Sequence, residues 1–255
     1  MKLSPCIEWI FAAEHEAMPD RIRAARAAGY DRAEFHLWRD KDIEGIAQAL
    51  AETGVTLTGF CADPRRSLVD PAQHEELFAA VADSLETAKK LGHAPMIVAS
   101  GFTREGISAQ EHFDTAVSAL GRIAAMAQQA GVVALLEPLN SVIDHPGMYL
   151  VSTTLGLDLV EAVGSPNLRL LYDAYHSAVM GEDMAEVLAG RVHLVHHVQL
   201  ADMPGRNEPG SGGLDLAATC AQLAQMGYTG SFGLEYRPTM PALASLAAAS
   251  AALGA

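Results

Sequence analysis

The chain has 255 residues, half of them hydrophobic and 19% charged, and carries a formal net charge of −14. That is enough apolar material for one large core, without the run of about 18 apolar residues that a membrane span requires, and the acid excess argues against a nucleic-acid partner, whose phosphates need clustered Lys and Arg. Cys6, Cys61 and Cys220 are odd in number and far apart, so they read as reduced thiols of a cytoplasmic protein and not as a disulfide frame.

The N-terminal MKLSPCIEWIFAAEHEAMPD has acids inside its apolar stretch, unlike a signal peptide. From LSPCIEW onward, short β-rich runs alternate with longer runs of helical period. A first strand near LSPCIEW precedes a helix over 19–28. RAEFHL (strand) leads to KDIEGIAQALAET (helix), and VTLTGF (strand) to PAQHEELFAAVADSLETAKKLG (helix). PMIVAS and SAQEHFDTAVSALGRIAAMAQQAG follow in the same order, then VVALLE with TTLGLDLVEAVG and NLRLLYD with EDMAEVLAG. VHLVHHVQL precedes LDLAATCAQLAQMG, and SFGLE precedes the Ala-rich tail. Eight strand-then-helix units over residues 1–255 predict one α/β domain, a single (β/α)8 TIM barrel. The alternative, an open doubly wound sheet, would show a GxGxxG turn after its first strand, and none is present.

In such a barrel the functional face lies where strands run into the following loops. Alternation along each strand places Val133, Leu135 and Glu137 on one face, as it does Arg169, Leu171 and Asp173. His193, Val195, His197 and Gln199 share a face, as do Gly233, Glu235 and Arg237. Four consecutive strands thus end in Glu137, Asp173, Gln199 and Glu235. Three carboxylates around one point cannot all ionise cheaply. A divalent cation removes the conflict, and an all-oxygen set suits Mg2+ or Mn2+, with Co2+ an acceptable substitute.

LLEPLN, LLYDAYH, HHVQLADMPGRNEPGSG and LEYRP, in this order and spacing, resemble the hydroxypyruvate isomerase family, one of the xylose-isomerase-like TIM barrels. The match is strong over 131–238 and thinner before it. The resemblance implies a metal on Glu137, Asp173, Gln199 and Glu235, with Glu137 and Glu235 also moving protons. His176 resembles the histidine that contacts substrate oxygens, and Arg206 the arginine that grips them. Glu208, in the same loop, is expected to orient Arg206 or His176. The implied reaction moves a carbonyl by one carbon through an enediolate, with hydroxypyruvate converted to tartronate semialdehyde, and Arg206 is suited to hold the acid bidentately.

Around this set, His36 and Trp38 end the second strand and are read as a substrate wall, with Glu8 and Trp9 as weaker candidates at the first. His197, two residues below Gln199, is expected to support the metal group from beneath, whereas His193 and His196 read as structural. Cys61 reads as inert, Arg65 and Arg66 as a loop that greets an anionic substrate, and Ser100 and Gly101 as pocket lining. The loop GFCADPRRSLVDP departs from the family's longer Gly/Trp-rich stretch, which leaves the substrate less defined than the machinery. A ketose or sugar-acid isomerase or 3-epimerase is the alternative, and an endonuclease IV-like nuclease or a non-catalytic sugar-binding barrel is more remote. The partner expected is a small carbonyl substrate, with no nucleic acid and no membrane, and with a homo-oligomer left open.

Overall fold

The computed structural model describes residues 1–255. Eight parallel strands form one sheet: β1 (Leu3–Pro5), β2 (Arg32–Glu34), β3 (Thr56–Cys61), β4 (Met96–Val98), β5 (Ala134–Leu136), β6 (Leu168–Asp173), β7 (Val195–Leu200) and β8 (Ser231–Leu234). Each lies beside its sequence neighbours, and β1 also pairs with β8. The seam between β1 and β2 is held by a parallel bridge from Cys6 to Glu34 and by Ile7 N–H donating to Glu34 O at 2.8 Å. The result is a TIM barrel, as the order of elements requires.

The crossover helices are α1 (Met18–Ala27), α2 (Ile43–Thr53), α3 (His74–Lys90), α4 (Ala109–Ala130), α5 (Thr153–Val163), the short α6 (Ala174–Val179) and α7 (Met184–Val187), α8 (Leu216–Gln225) and the tail helix α9 (Ala242–Leu253). None is long and apolar enough to cross a membrane. Their apolar stripes explain the packing: in α3, Leu77, Phe78, Val81, Leu85 and Ala88 are buried at the spacing of one helical face. The ends of α4 are set locally. Ser108 and Glu111 form a capping box, and Gly131 terminates the helix in the left-handed conformation at φ 66°, which glycine adopts without steric cost.

The barrel interior has two halves. Cys61, Ile97, Leu135 and Leu171, from β3 to β6, form an apolar cluster of their own. On the other side the buried polar residues Ser4, Glu34, His197 and Gln199 come from β1, β2 and β7. The expected alternation holds: Leu135 and Leu171 lie inside, below Glu137 and Asp173.

Two boundaries differ from the sequence reading. Strand β2 ends at Glu34, with a register irregularity between Ala33 and Glu34, so Phe35 to Trp38 form a loop rather than a strand end. The seventh strand starts at Val195, because Val192–Leu194 is a 3-10 turn. His193 is therefore outside the strand. Both His193 and His196 are exposed, at the end of the barrel opposite the site.

Candidate active site

Asp173 and Gln199 are direct partners in the β6–β7 ladder, and Gln199 faces Gly233 across β7–β8. Glu137 follows the last residue of β5 and Glu235 the last residue of β8. Three of the four predicted strand-end residues, Glu137, Gln199 and Glu235, line one cavity of about 220 Å3 together with Trp9, His36, Cys61, Arg65, His145, His176 and Arg206; Asp173 is buried beside it, Oδ2 lying 3.5 Å from His176 Nε2. Glu137, Asp173 and His176 each offer a ligand atom within 4.8 Å of the others.

Asp173 does two jobs. It ends β6 and caps α6, with Oδ1 accepting from Tyr175 N–H at 2.8 Å and from His176 N–H at 3.2 Å, as an Asp at a helix start should. This cap puts His176 on the first helical turn, aimed back at the site. Helix α6 was not expected from the sequence, where AYHSAV reads as loop.

The ring of His176 is fixed by the loop after β5. Asn140 donates to its Nδ1 from both the side-chain Nδ2, at 2.6 Å, and the backbone N–H, at 3.3 Å. With Nδ1 an acceptor, the neutral ring carries its proton on Nε2. Burial first, then the charge of Arg206, pushes the His176 pKa down to about 3, so the neutral form prevails near neutral pH. Nε2 lies 3.5 Å from Asp173 Oδ2 and 3.9 Å from Glu137 Oε1 and has no hydrogen-bond partner. His176 is thus a donor into the cavity and lacks the free lone pair of a metal ligand.

Arg206 is delivered by a loop organised around Asp202. Oδ2 of this buried carboxylate accepts from Gly210 and Gly212 N–H at 2.9 Å, and Oδ1 from Met203 N–H at 2.8 Å and Leu214 N–H at 3.0 Å. A Cβ on Gly212 would lie 2.3 Å from Met203 O, so the glycine lets the chain close on itself. The guanidinium lies between Trp9 and Tyr175, 5.3 and 5.1 Å from their ring centres. Nη2 donates to Asp173 Oδ2 at 3.2 Å and to Glu235 Oε2 at 2.7 Å. Both Nη2 protons are used, which breaks the bidentate substrate clamp expected of Arg206. Its Nε–H is buried and without a partner, and Nη1 bears further N–H donors.

Glu34, inside β2, was not singled out by sequence reasoning. Its carboxylate accepts from Gln199 Nε2 at 2.9 Å, from Thr58 Oγ1 at 3.1 Å and from His197 Nε2. An ionised carboxylate only accepts, so Glu34 holds the amide nitrogen of Gln199 and turns Oε1, which has no partner, toward the cavity. His197 reaches Gln199 only through Glu34, which both hydrogen-bond. In a strand of only Arg32–Ala33–Glu34, the acid gave no local signal. Room for the carboxylate comes from Gly233, where a Cβ would lie 2.6 Å from Glu34 Oε1. Gly233→Ala is expected to lower the unfolding free energy by about 1–3 kcal/mol in urea titration. An unchanged midpoint would show that the carboxylate is not held there.

Three other expectations are corrected. Trp38 does not wall the pocket: its Nε1–H donates to Ser84 Oγ on α3 at 2.9 Å, and Trp9 takes the aromatic place. Glu208 orients neither Arg206 nor His176. It accepts from Thr239 N–H at 2.7 Å and Ser245 Oγ at 2.8 Å, tying its loop to the one after β8. Ser100 packs against a neighbouring loop, Oγ accepting from Leu150 N–H at 2.9 Å, while Gly101 lines a second cavity beside the first. His36 lies in the loop after β2 but still lines the cavity, Nε2 lying 2.7 Å from Glu235 Oε1. Cys61 lines the cavity, but burial pushes its thiol up to about 12, the inert state.

The electrostatics divide the carboxylates. Burial, then Glu235 and Asp173, push Glu137 well above the ordinary range. Burial raises Asp173 to about 7, against the pull of Arg206. Glu235 is held low because Arg206 and His36 outweigh its burial. One arginine does not neutralise three buried acids, and the excess charge is what a cation relieves. The donors also fit one: Glu137 accepts no hydrogen bond from the protein, and Gln199 Oε1 is buried without a partner.

The model of the xylose isomerase-like TIM barrel family matches residues 22–253. The chain belongs to this family. Within the family, hydroxypyruvate isomerase of Escherichia coli is 30% identical over 86% of this chain and 87% of its own length. The 2-oxo-tetronate isomerase of Cupriavidus necator is 29% identical over 88% of each. A crystal structure described as AP endonuclease, family 2, from Brucella melitensis has 27% identity, covers 96% of both chains and superposes with a TM-score of 0.89.

Proposed function

We propose that this chain is an isomerase of small hydroxy-oxo acids, with hydroxypyruvate to tartronate semialdehyde as the reaction that best fits. The observation that carries this reading is the pair Glu137 and Glu235, on β5 and β8 across one small cavity, held in opposite protonation tendencies by their surroundings. Two titratable groups with divergent pKa values are what an acid–base relay requires. The resemblance of the relatives in name and extent supports the same substrate class.

The residues perform the following work. One of the two glutamates takes the proton from the hydroxyl-bearing carbon, and that carbon's electron pair forms the enediolate. A proton is then returned to the former carbonyl carbon, while the hydroxyl proton passes from one oxygen to the other. The handedness of the substrate decides which glutamate acts first. Nε2–H of His176 and Nε–H of Arg206 donate to substrate oxygens and hold them in the plane the enediolate needs. Trp9 and Tyr175 keep the guanidinium in place and water out. Glu137, Asp173, Gln199 and Glu235 would hold a divalent cation, Mg2+ or Mn2+ with Co2+ as a substitute, which when bound would supply positive charge beside the substrate oxygens.

Cation binding to this set is linked to protons, because burial lifts Asp173 to about 7 and pushes Glu137 well above the ordinary carboxylate range, so a cation must compete with protons for both. Mn2+ affinity, measured calorimetrically, is expected to fall below pH 7 by roughly tenfold per pH unit for each proton displaced. Affinity independent of pH from 5.5 to 8 would place the cation elsewhere. The function itself is tested by product formation from hydroxypyruvate, 2-oxo-tetronate and uncharged ketoses, with Mg2+, Mn2+ or Co2+ added to chelator-treated protein. Turnover confined to ketoses would support the alternative of a ketose isomerase or 3-epimerase.

A further inference from the structure

We infer that Arg65 is the anchor for the substrate's carboxylate and the residue that selects acids over uncharged ketoses. This inference rests on the isomerase reading and names the part of the site that sets its substrate class. Arg206, the obvious anion binder, is committed to Asp173 and Glu235 through both Nη2 protons. A substrate carboxylate placed on it would compete with two protein carboxylates already there. Two other arginines line the cavity without an ion-pair partner, Arg65 and Arg237. Arg66, beside them, is paired with Glu76 at 2.6 Å, and Arg104, nearby, faces Asp70 at 3.6 Å.

Arg65 and Arg237 are not equivalent. The Arg237 guanidinium lies over the Trp9 ring, 5.6 Å from its centre. Arg65 is itself exposed on a mostly buried loop, yet its side chain extends over the cavity, Nη2 reaching to 4.0 Å from the Cys61 thiol. Cys61 belongs to the apolar layer that floors the cavity with Ile97, Leu135 and Leu171. The Arg65 tip therefore stands over the barrel mouth beside an apolar floor that offers it no acceptor other than sulfur. An unpaired cation there, in a chain with a net charge of −14, leaves its fork of donors available to a ligand carboxylate. A second cavity, of about 450 Å3, shares Arg65, Arg66, Ala99, Asp144 and His145 with the first, Arg66 being held by Glu76. Arg65 thus stands at the junction, and room for an acid longer than three carbons continues past it.

The test compares wild type with Arg65→Ala, Arg65→Lys and Arg237→Ala in Mn2+-loaded protein. Steady-state constants are measured for hydroxypyruvate and dihydroxyacetone, and binding of the non-reacting acid D-glycerate is measured calorimetrically. Arg65→Ala is expected to lower the preference for the acid, as the ratio of kcat/KM values, by about 10- to 100-fold. The loss should lie in KM, with a parallel loss in glycerate affinity, and Arg65→Lys should recover part of it. Arg237→Ala should change the ratio far less. Equal losses for acid and ketose, or a larger effect at Arg237 than at Arg65, would overturn the inference. If wild type isomerised no hydroxy-oxo acid, the functional reading would fail on its own. Glycerate binding would then decide the anchor: its loss in Arg65→Ala keeps it, and its retention removes it.

Discussion

Glu137→Gln and Glu235→Gln are each expected to lower kcat for hydroxypyruvate by about 10²- to 10⁴-fold, the range for removal of a positioned acid or base. Glutamine keeps the shape and one ligand oxygen of the side chain but cannot carry a proton through the cycle. Substrate affinity should change much less, because His176, Arg206 and Arg65 remain. The two variants should differ in stability. Glu137 accepts no hydrogen bond from the protein, and its burial favours the neutral form, so Glu137→Gln should leave the fold as stable as wild type or slightly more so. Glu235 answers Arg206 and His36 at 2.7 Å each, so Glu235→Gln should destabilise it. Steady-state kinetics and urea unfolding on the same preparations check both points. Full activity in both variants would remove the proton-transfer assignment.

Arg206→Ala is expected to have the largest effect on the cation-free fold. It leaves Asp173 and Glu235 buried without their shared counter-charge, and breaking a buried pair costs about 3–5 kcal/mol. The sign with pH follows from the two acids. Without Arg206 both folded-state pKa values move up, above those of the unfolded chain. A raised carboxylate contributes stability that is complete at low pH and is lost as pH rises through its folded value. The deficit against wild type should therefore be small near pH 5 and widest above pH 7. Mn2+ should recover part of it by supplying positive charge to the same carboxylates. Thermal unfolding of chelator-treated and Mn2+-loaded protein at pH 5 and pH 8 measures all four corners, and a deficit independent of pH and cation would show that packing, not charge, is what Arg206 provides.

The meeting of the strand-end residues was legible because it depends only on the period of a strand. Leu135, Leu171 and His197 lie inside the barrel, so two residues further on Glu137, Asp173 and Gln199 meet at its mouth. Nothing long-range is needed beyond the order of the strands. Where the chain leaves the strands, that parity is lost. Trp38 was expected in the pocket on the assumption that RAEFHL continues as a strand. With β2 ending at Glu34, the loop carries the indole to Ser84 on α3 instead.

Glu208 fails for another reason. Its partners Thr239 and Ser245 lie about 30 residues further along and meet it only after the barrel closes. The sequence does show the Asp202 and glycine pattern that shapes the Arg206 loop, but not that Arg206 turns back onto Asp173 and Glu235. That contact exists because burial makes a lone arginine and two acids seek one another. Glu34 was hidden in plain view, since a single acid in a strand has no local signature until its partners His197 and Gln199, from the far side of the barrel, are known.

The central claim is that this site moves a proton between adjacent carbons of a small hydroxy-oxo acid. The most direct measurement is proton NMR of hydroxypyruvate in D2O with wild-type protein loaded with Mg2+. The expected result is loss of the C3 proton signal by exchange together with the appearance of tartronate semialdehyde, both absent after chelator treatment and with Glu137→Gln. No exchange beyond the protein-free rate, with hydroxypyruvate or 2-oxo-tetronate and with Mg2+, Mn2+ or Co2+ present, would contradict it.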